Sequence, residues 1–167
     1  MEKLYRFSPI GNKDQLKQAI EYTHFACFKL SKLAFGEYLP VAGNTAIFCH
    51  YDDEYKLLTN IREGLTDESD TLFTKYYHLK ERIIIPPKED IPETTYTHLY
   101  IRKPDQNRSQ VGDVDFLMEK DEYAELKQSL LDGKEIKGAR VFERQEPDMI
   151  ELYDPDMDVL AYVRTKE

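Results

Sequence analysis

The chain has 167 residues, of which 41% are hydrophobic and 33% charged, a size and balance that fit one folded domain with a well-solvated surface and exclude a disordered or fibrous chain. Its net charge of −9 is concentrated in residues 113–167, which disfavours direct nucleic-acid binding through that third and leaves a basic protein partner as the complementary surface. No apolar run approaches the roughly 18 residues of a membrane span, and the opening MEKLYRFSPIG lacks a signal peptide's apolar stretch, so the expectation is a cytoplasmic protein without membrane association.

The first element is a helix starting at Asn12, where NKDQ sets an amide cap three residues before Gln15. Leu16, Ile20, Thr23, Cys27, Leu30 and Ala34 follow at steps of three and four, and Gly36 is the expected stop. Phe25, Phe28 and Phe35 widen the apolar surface, so the helix is expected to be covered on two sides, by the rest of the chain or by a second copy in a homodimer. Cys27 and the later Cys49, in apolar contexts and without C-x-x-C spacing, are expected as buried reduced thiols. TAIFCHY reads as a buried strand. Asp52 or Asp53 is expected to cap a second helix with Tyr55, Leu58, Ile61 and Leu65 on one face.

TDESDTLFTK reads as a loop, and YYHLKERIII as a strand stopped by Pro86 and Pro87. TTYTHLYIRK alternates, placing Leu99 and Ile101 on one face and Tyr96, His98, Tyr100 and Arg102 on the other. DVDFLM alternates too, with Val114, Phe116 and Met118 inward and Asp113 and Asp115 opposite. A helix over KDEYAELKQSLL ends at Gly133, and GARVFER, DMIELY and DVLAYV are three further strands. No fixed-period internal repeat is visible in the residues. The fold class is therefore α+β: N-terminal helices packed on a mostly antiparallel sheet, with a C-terminal β-α-β-β-β unit. A single domain, 1–167, is expected, helix-rich over 1–66 and sheet-rich over 76–167.

The order of elements over residues 113–163, closing on YDPDMDVLAYV, resembles one module of the glyoxalase and vicinal-oxygen-chelate superfamily. The resemblance implies a final hairpin at Asp154-Pro155-Asp156-Met157-Asp158, with Met157 where that family commonly has Gly. In metal-binding members a His in the first strand and a Glu in the last are ligands; the corresponding positions here are Asp113 and Ala161, so no metal and no cofactor is expected. The family pairs two modules. The first half of this chain reads as helices and loops, so a second module would come from a subunit partner, or the sheet would be closed in another way.

Three groups of side chains could carry chemistry. Asp148, Glu151, Asp154, Asp156 and Asp158 lack the glycine and terminal Glu of a calcium loop, and Asp-Pro-Asp is an ordinary turn sequence. His98, Tyr100 and Arg102 fall about 7 Å apart along one strand, able to bind a small anionic or aromatic ligand, with Arg102 pairing a carboxylate or phosphate and His98 as acid or base. His50 and Asp52 sit where a strand meets a helix, a frequent site position, although carboxylates also suit a helix start. Walker, Rossmann, zinc and serine-hydrolase motifs are absent from the sequence. The leading expectation is a small-ligand-binding protein, and the resemblance implies a metal-free enzyme of glyoxalase-like type as its catalytic form. The alternative is an acidic interaction module that engages a basic partner or antagonises a nucleic-acid-binding protein.

Overall fold

The structure is a computed structural model that describes residues 5–68, 76–133, 139–141 and 149–166. In chain order the elements are α1 (Lys13–Phe35), β1 (Val41–Phe48), α2 (Asp52–Leu65), β2 (Tyr77–Ile85), β3 (Thr94–Arg102), β4 (Gly112–Met118), α3 (Lys120–Leu131), β5 (Ala139–Val141), β6 (Ile150–Leu152) and β7 (Leu160–Thr165). The described strands form one seven-stranded sheet in the order β2-β3-β1-β4-β7-β6-β5. Four of its six pairings are antiparallel; β1 with β3 and β4 with β7 are parallel. The α+β expectation holds, including the C-terminal β4-α3-β5-β6-β7 unit.

The local signals read from the sequence explain the helix boundaries. Asn12 accepts a hydrogen bond from the Gln15 amide at 2.8 Å, and Gly36 closes α1 with a left-handed φ of 76° and an amide bond to Lys32. At α2 the expected aspartate cap is not formed. Tyr51 occupies the cap position without a side-chain bond, Asp52 and Asp53 lie in the first turn, and the buried Glu54 takes the orphan amides of His50 and Ile10. A longer side chain two residues later can reach back over the start of the helix and tie the N-terminal segment to it; a capping aspartate could not do both.

Buried residues of all three helices, among them Leu16, Phe28, Leu58 and Tyr123, join Leu99, Val114, Phe116 and Val163 in one core, so the helices share one face of the sheet. The apolar breadth of α1 is used within the chain: it packs on β4, β1 and β7. On the opposite face Ala46, Phe48, Leu160 and Tyr162 form a smaller cluster. Tyr96 departs from its expected side. Its phenol hydrogen-bonds His24 of α1 at 2.7 Å beneath the sheet, and the β2–β3 register shifts between His78↔His98 and Ile83↔Tyr96, where the two-residue alternation breaks.

The first half of the chain is not merely helices and loops. β1-α2-β2-β3 places its first strand parallel to its last, as β4-α3-β5-β6-β7 does, and the two units meet through antiparallel β1 and β4. A second strand-helix-strand unit, one strand shorter, is thus present in the same chain. The repeat lies in strand order and pairing rather than in residues, and so leaves no periodic trace in the sequence. The acidic hinge is a turn, as expected: Asp154 Oδ1 accepts the Asp156 amide at 2.8 Å and its carbonyl accepts Met157 at 3.0 Å. Asp158 then binds Arg6 and the Tyr22 hydroxyl, fastening the N-terminal segment and α1 to this corner. Asp148, residues 69–75 of the expected loop, and residues 138 and 142–144 of the expected β5 segment lie outside the described residues.

The two halves join at Gly112, where an added Cβ would stand 2.2 Å from the Ala46 carbonyl oxygen of β1. Gly112→Ala is therefore expected to destabilise the protein by about 3 kcal/mol, the upper part of the overpacking range, because backbone must move. Gly64→Ala, on α2 with open space around it, should instead stabilise by about 0.5–1 kcal/mol. Urea unfolding of both variants checks the contrast. His24, fully buried against Phe25, Phe28 and Tyr96, has its pKa lowered to about 4 by burial. Stability is then expected to be complete above the ordinary value of 6.5 and to fall as pH drops toward 4, by roughly 3 kcal/mol. His24→Phe should flatten that slope in unfolding curves taken across the same pH range, whatever its effect on stability at neutral pH.

Candidate ligand site on the polar sheet face

Strand alternation builds the site on the face away from the helices. Along β3 it carries His98, Tyr100 and Arg102, whose partners on β1 are Asn44, Ala46 and Phe48. Ala46 is paired in turn with Asp113 of β4, Asp113 with Leu160 of β7, Asp115 with Tyr162, and Tyr162 with Glu151 of β6. One row across the sheet therefore runs Tyr100, Ala46, Asp113, Leu160. Both ends of the polar face belong to different modules, and the β1–β4 pairing sets them side by side.

Arg102 stacks over Phe48, its guanidinium carbon 4.9 Å from the ring centroid. Its nearest carboxylate, Asp105, is 3.9 Å away on the following loop, too far for a hydrogen bond, so the planar fork has no hydrogen-bond partner among the described residues. Arg102 and Tyr100 line a cleft of about 1230 Å³ at the C-terminal end of β3, walled by Tyr55 and Arg62 of α2 and by Tyr77. Arg62 is held rigid there, stacked 3.6 Å over the Tyr77 ring and bonded to Thr66 at 3.0 Å. Guanidiniums fixed on aromatic rings can take an anionic or aromatic ligand, and they share the cleft lining with Lys103 and the carboxylates of Glu63, Asp67, Glu68 and Asp105.

The other expected site residues fall elsewhere. His98 shares the face with Tyr100 and Arg102 but does not line the cleft. Its Nδ1 lies 2.8 Å from Thr97 Oγ1, its ring meets His78 edge-on at 5.3 Å, and burial followed by the charge of His78 lowers its pKa, keeping it neutral. His50 stacks on Tyr5 with ring centroids 4.0 Å apart and bonds Ser8 at 2.7 Å, and burial lowers its pKa. Asp52 is exposed in the first turn of α2. Neither His50 nor Asp52 lines the cleft.

Sequence reasoning passed over the buried carboxylates of β4. Asp113 is 5% exposed, and its Oδ1 has no hydrogen-bond partner among the described residues. Burial first, then the charge of Asp115, raises its pKa well above the ordinary 3.8, only partly offset by Arg102 and Arg108. Asp115 is pushed up to about 6 by burial, against the pull of Arg164 at 3.7 Å and a hydrogen bond from Asn44 at 3.2 Å. Burial also raises the phenols of Tyr76 and Tyr162, which keep their protons as donors. The available signal was DVD alternation on a strand that turned out to be central and covered on both faces.

The donor set does not fit the metal of metal-binding glyoxalase-like proteins. Asp113 faces Leu160, Ala161 points into the helix-side core, and among the described residues no group of three or more His, Cys, Asp or Glu is placed to hold a metal ion. The face offers carboxyl groups, phenols and guanidinium forks, all of them hydrogen-bonding groups.

No protein-family model and no curated protein matches the chain. Among solved structures, a structural-genomics protein, EC4020, is 10% identical with a TM-score of 0.55, the likeness covering 99% of this chain and 93% of that one, and it shows the fold alone. Two structures of Streptomyces coelicolor methylmalonyl-CoA epimerase in complex with 2-nitronate-propionyl-CoA, one a glutamate-to-glutamine and one a glutamine-to-alanine variant, are each 17% identical. Their TM-score is 0.36, over 77% of this chain and 98% of theirs.

The raised pKa of Asp113 has a stability consequence of fixed sign. Above 3.8 the unfolded chain releases a proton that the folded chain keeps, so this group's contribution to stability declines as pH rises through that window. Asp113→Asn, which cannot ionise, is expected to gain in melting temperature relative to the parent by a few degrees at pH 8 compared with pH 4. Thermal unfolding of the pair at both pH values checks it.

Proposed function

We propose that the chain is a single-domain, metal-free, glyoxalase-like protein that binds a small anionic or aromatic ligand, with Arg102 and Tyr100 as its first contacts. The observation that carries this reading is the Arg102 fork: stacked on Phe48, facing a cleft of about 1230 Å³, and without a hydrogen-bond partner among the described residues. An arginine so placed is preorganised for a planar anion, because the stacking has already restricted its rotamers. Two β-α-β modules joined edge to edge in one sheet support the glyoxalase-like part of the reading, since that is the pairing the resemblance implies. The acidic-surface alternative has less support: Asp113, Asp115, Glu151 and Asp154 of the acidic third are all buried and cannot contribute to a carboxylate surface.

A thermal-shift screen with small carboxylates, phosphate and aromatic acids tests the proposal. A stabilising compound should lose at least tenfold in affinity with Arg102→Ala and keep part of it with Arg102→Lys. A ligand that stabilises the parent and the alanine variant equally would remove Arg102 from the site and the proposal with it.

A further inference from the structure

We infer that His78 and His98 form a surface site for one divalent transition-metal ion of the zinc and copper class, held by Nε2 of each ring and otherwise by water. The site is separate from the Arg102 cleft: neither histidine lines that cleft, and Arg102 stands four residues beyond His98, about 13 Å along β3.

The register brings the two rings together. His78 of β2 and His98 of β3 are direct partners in the antiparallel pair. On the outer side of β2 the His78 carbonyl accepts the Asp67 amide at 2.9 Å, so the polar backbone groups of His78 are turned away from β3. The two histidines are therefore a non-hydrogen-bonded pair, the kind in which Cα atoms approach to about 4.5 Å and side chains come closest. Their ring centroids are 5.3 Å apart. Two imidazoles bound to one tetrahedral ion at about 2.1 Å per nitrogen have centroids about 5 Å apart, so little movement is needed to share an ion.

The contacts on the other ring nitrogens select the ones that would bind. His78 Nδ1 lies 3.1 Å from Asp67 Oδ2, an exposed carboxylate oxygen that accepts, which puts the His78 proton on Nδ1. His98 Nδ1 lies 2.8 Å from Thr97 Oγ1, and that hydroxyl donates to the Gly43 carbonyl at 3.3 Å; both contacts are made when His98 Nδ1 is the donor. In each ring the lone pair is then on Nε2, which has no hydrogen-bond partner among the described residues. A metal-binding imidazole is oriented in this way, its second nitrogen donating to a carboxylate or another acceptor.

Entry needs no cavity, because the His78 side chain is 56% exposed and His98 is half-buried. Imidazole nitrogens suit Zn²⁺, Ni²⁺ and Cu²⁺, whereas Mg²⁺ and Ca²⁺ take oxygen. Two nitrogens make an open site, unlike a closed group of three or more ligands, which is absent among the described residues. An ion here ties the edge strand β2 to β3 at the last regular pair before the register shifts between His78 and Ile83.

Isothermal titration calorimetry of the chelator-treated protein with Zn²⁺ and with Cu²⁺, in a buffer that does not coordinate metal, tests the inference. The parent should bind one equivalent of either ion at this pair, Cu²⁺ at least tenfold tighter than Zn²⁺. His78→Ala and His98→Ala, checked for folding by circular dichroism, should each weaken Zn²⁺ binding at least tenfold, and electron paramagnetic resonance of the Cu²⁺-loaded parent should show coupling to two ring nitrogens. Affinity unchanged in both variants would place the ion elsewhere, and a loss confined to one of them would mean that the rings do not share an ion. Either result, or a parent that binds no Zn²⁺ at millimolar concentration, would overturn the inference.

Discussion

The β1–β4 pairing is the contact on which the rest of the structure depends. It is the only pairing that joins the two strand-helix-strand units among the described residues, and at Gly112 the strands approach so closely that no side chain fits between Gly112 and the Ala46 carbonyl. Because the pairing is antiparallel, corresponding strands of the two units face each other across a local two-fold. All three helices then gather on one face and the inward-pointing polar residues of β3, β1, β4 and β7 gather on the other. The Arg102 cleft is lined by residues of the first unit, and the buried carboxylates of β4 lie in the second.

The polar face is a set of groups that restrain one another without fully satisfying one another. The ion pairs of Arg108 with Glu151 and of Arg164 with Asp115 are long, at 3.7 Å each, and Asp113 Oδ1 and Asn44 Oδ1 have no hydrogen-bond partner among the described residues. In a fold selected only for stability, a buried network of this kind is a burden of about 1–3 kcal/mol for each unpaired group. Unpartnered buried atoms occur on both sides of the sheet: Asp113 and Asn44 on the polar face, Thr23 and His24 on α1. At His24, on the helix side, a tyrosine and two phenylalanines enclose the ring.

The sequence made local structure legible and long-range pairing illegible. Asn12, Gln15 and Gly36 act within a few residues of themselves, and the α1 boundaries could be read directly; Asp154-Pro155-Asp156 likewise announces its own turn. The neighbour of β1 is decided by residues 50 to 70 positions away, and nothing in TAIFCHY says that it pairs parallel with β3 and antiparallel with β4. That gap hid the strand-helix-strand unit of the first half. It also hid the burial of Asp113, which on an alternating strand looks like a solvent-facing carboxylate until β4 is known to lie mid-sheet. Tyr100 and Arg102 were visible because their side chains carry recognisable chemistry on a strand whose alternation is clear; Tyr96, on the same strand, was misplaced where a register shift interrupts that alternation.

Asp113 reports on this arrangement directly, because burial in the middle of the sheet, at the seam between the two units, raises its pKa. Its carboxyl carbon can be followed by carbon-13 NMR as pH is raised, with Asp113→Asn identifying the resonance. The resonance is expected to show its titration step well above the ordinary aspartate value of 3.8. A step near that value, leaving an ionised carboxylate at pH 7, would contradict the account.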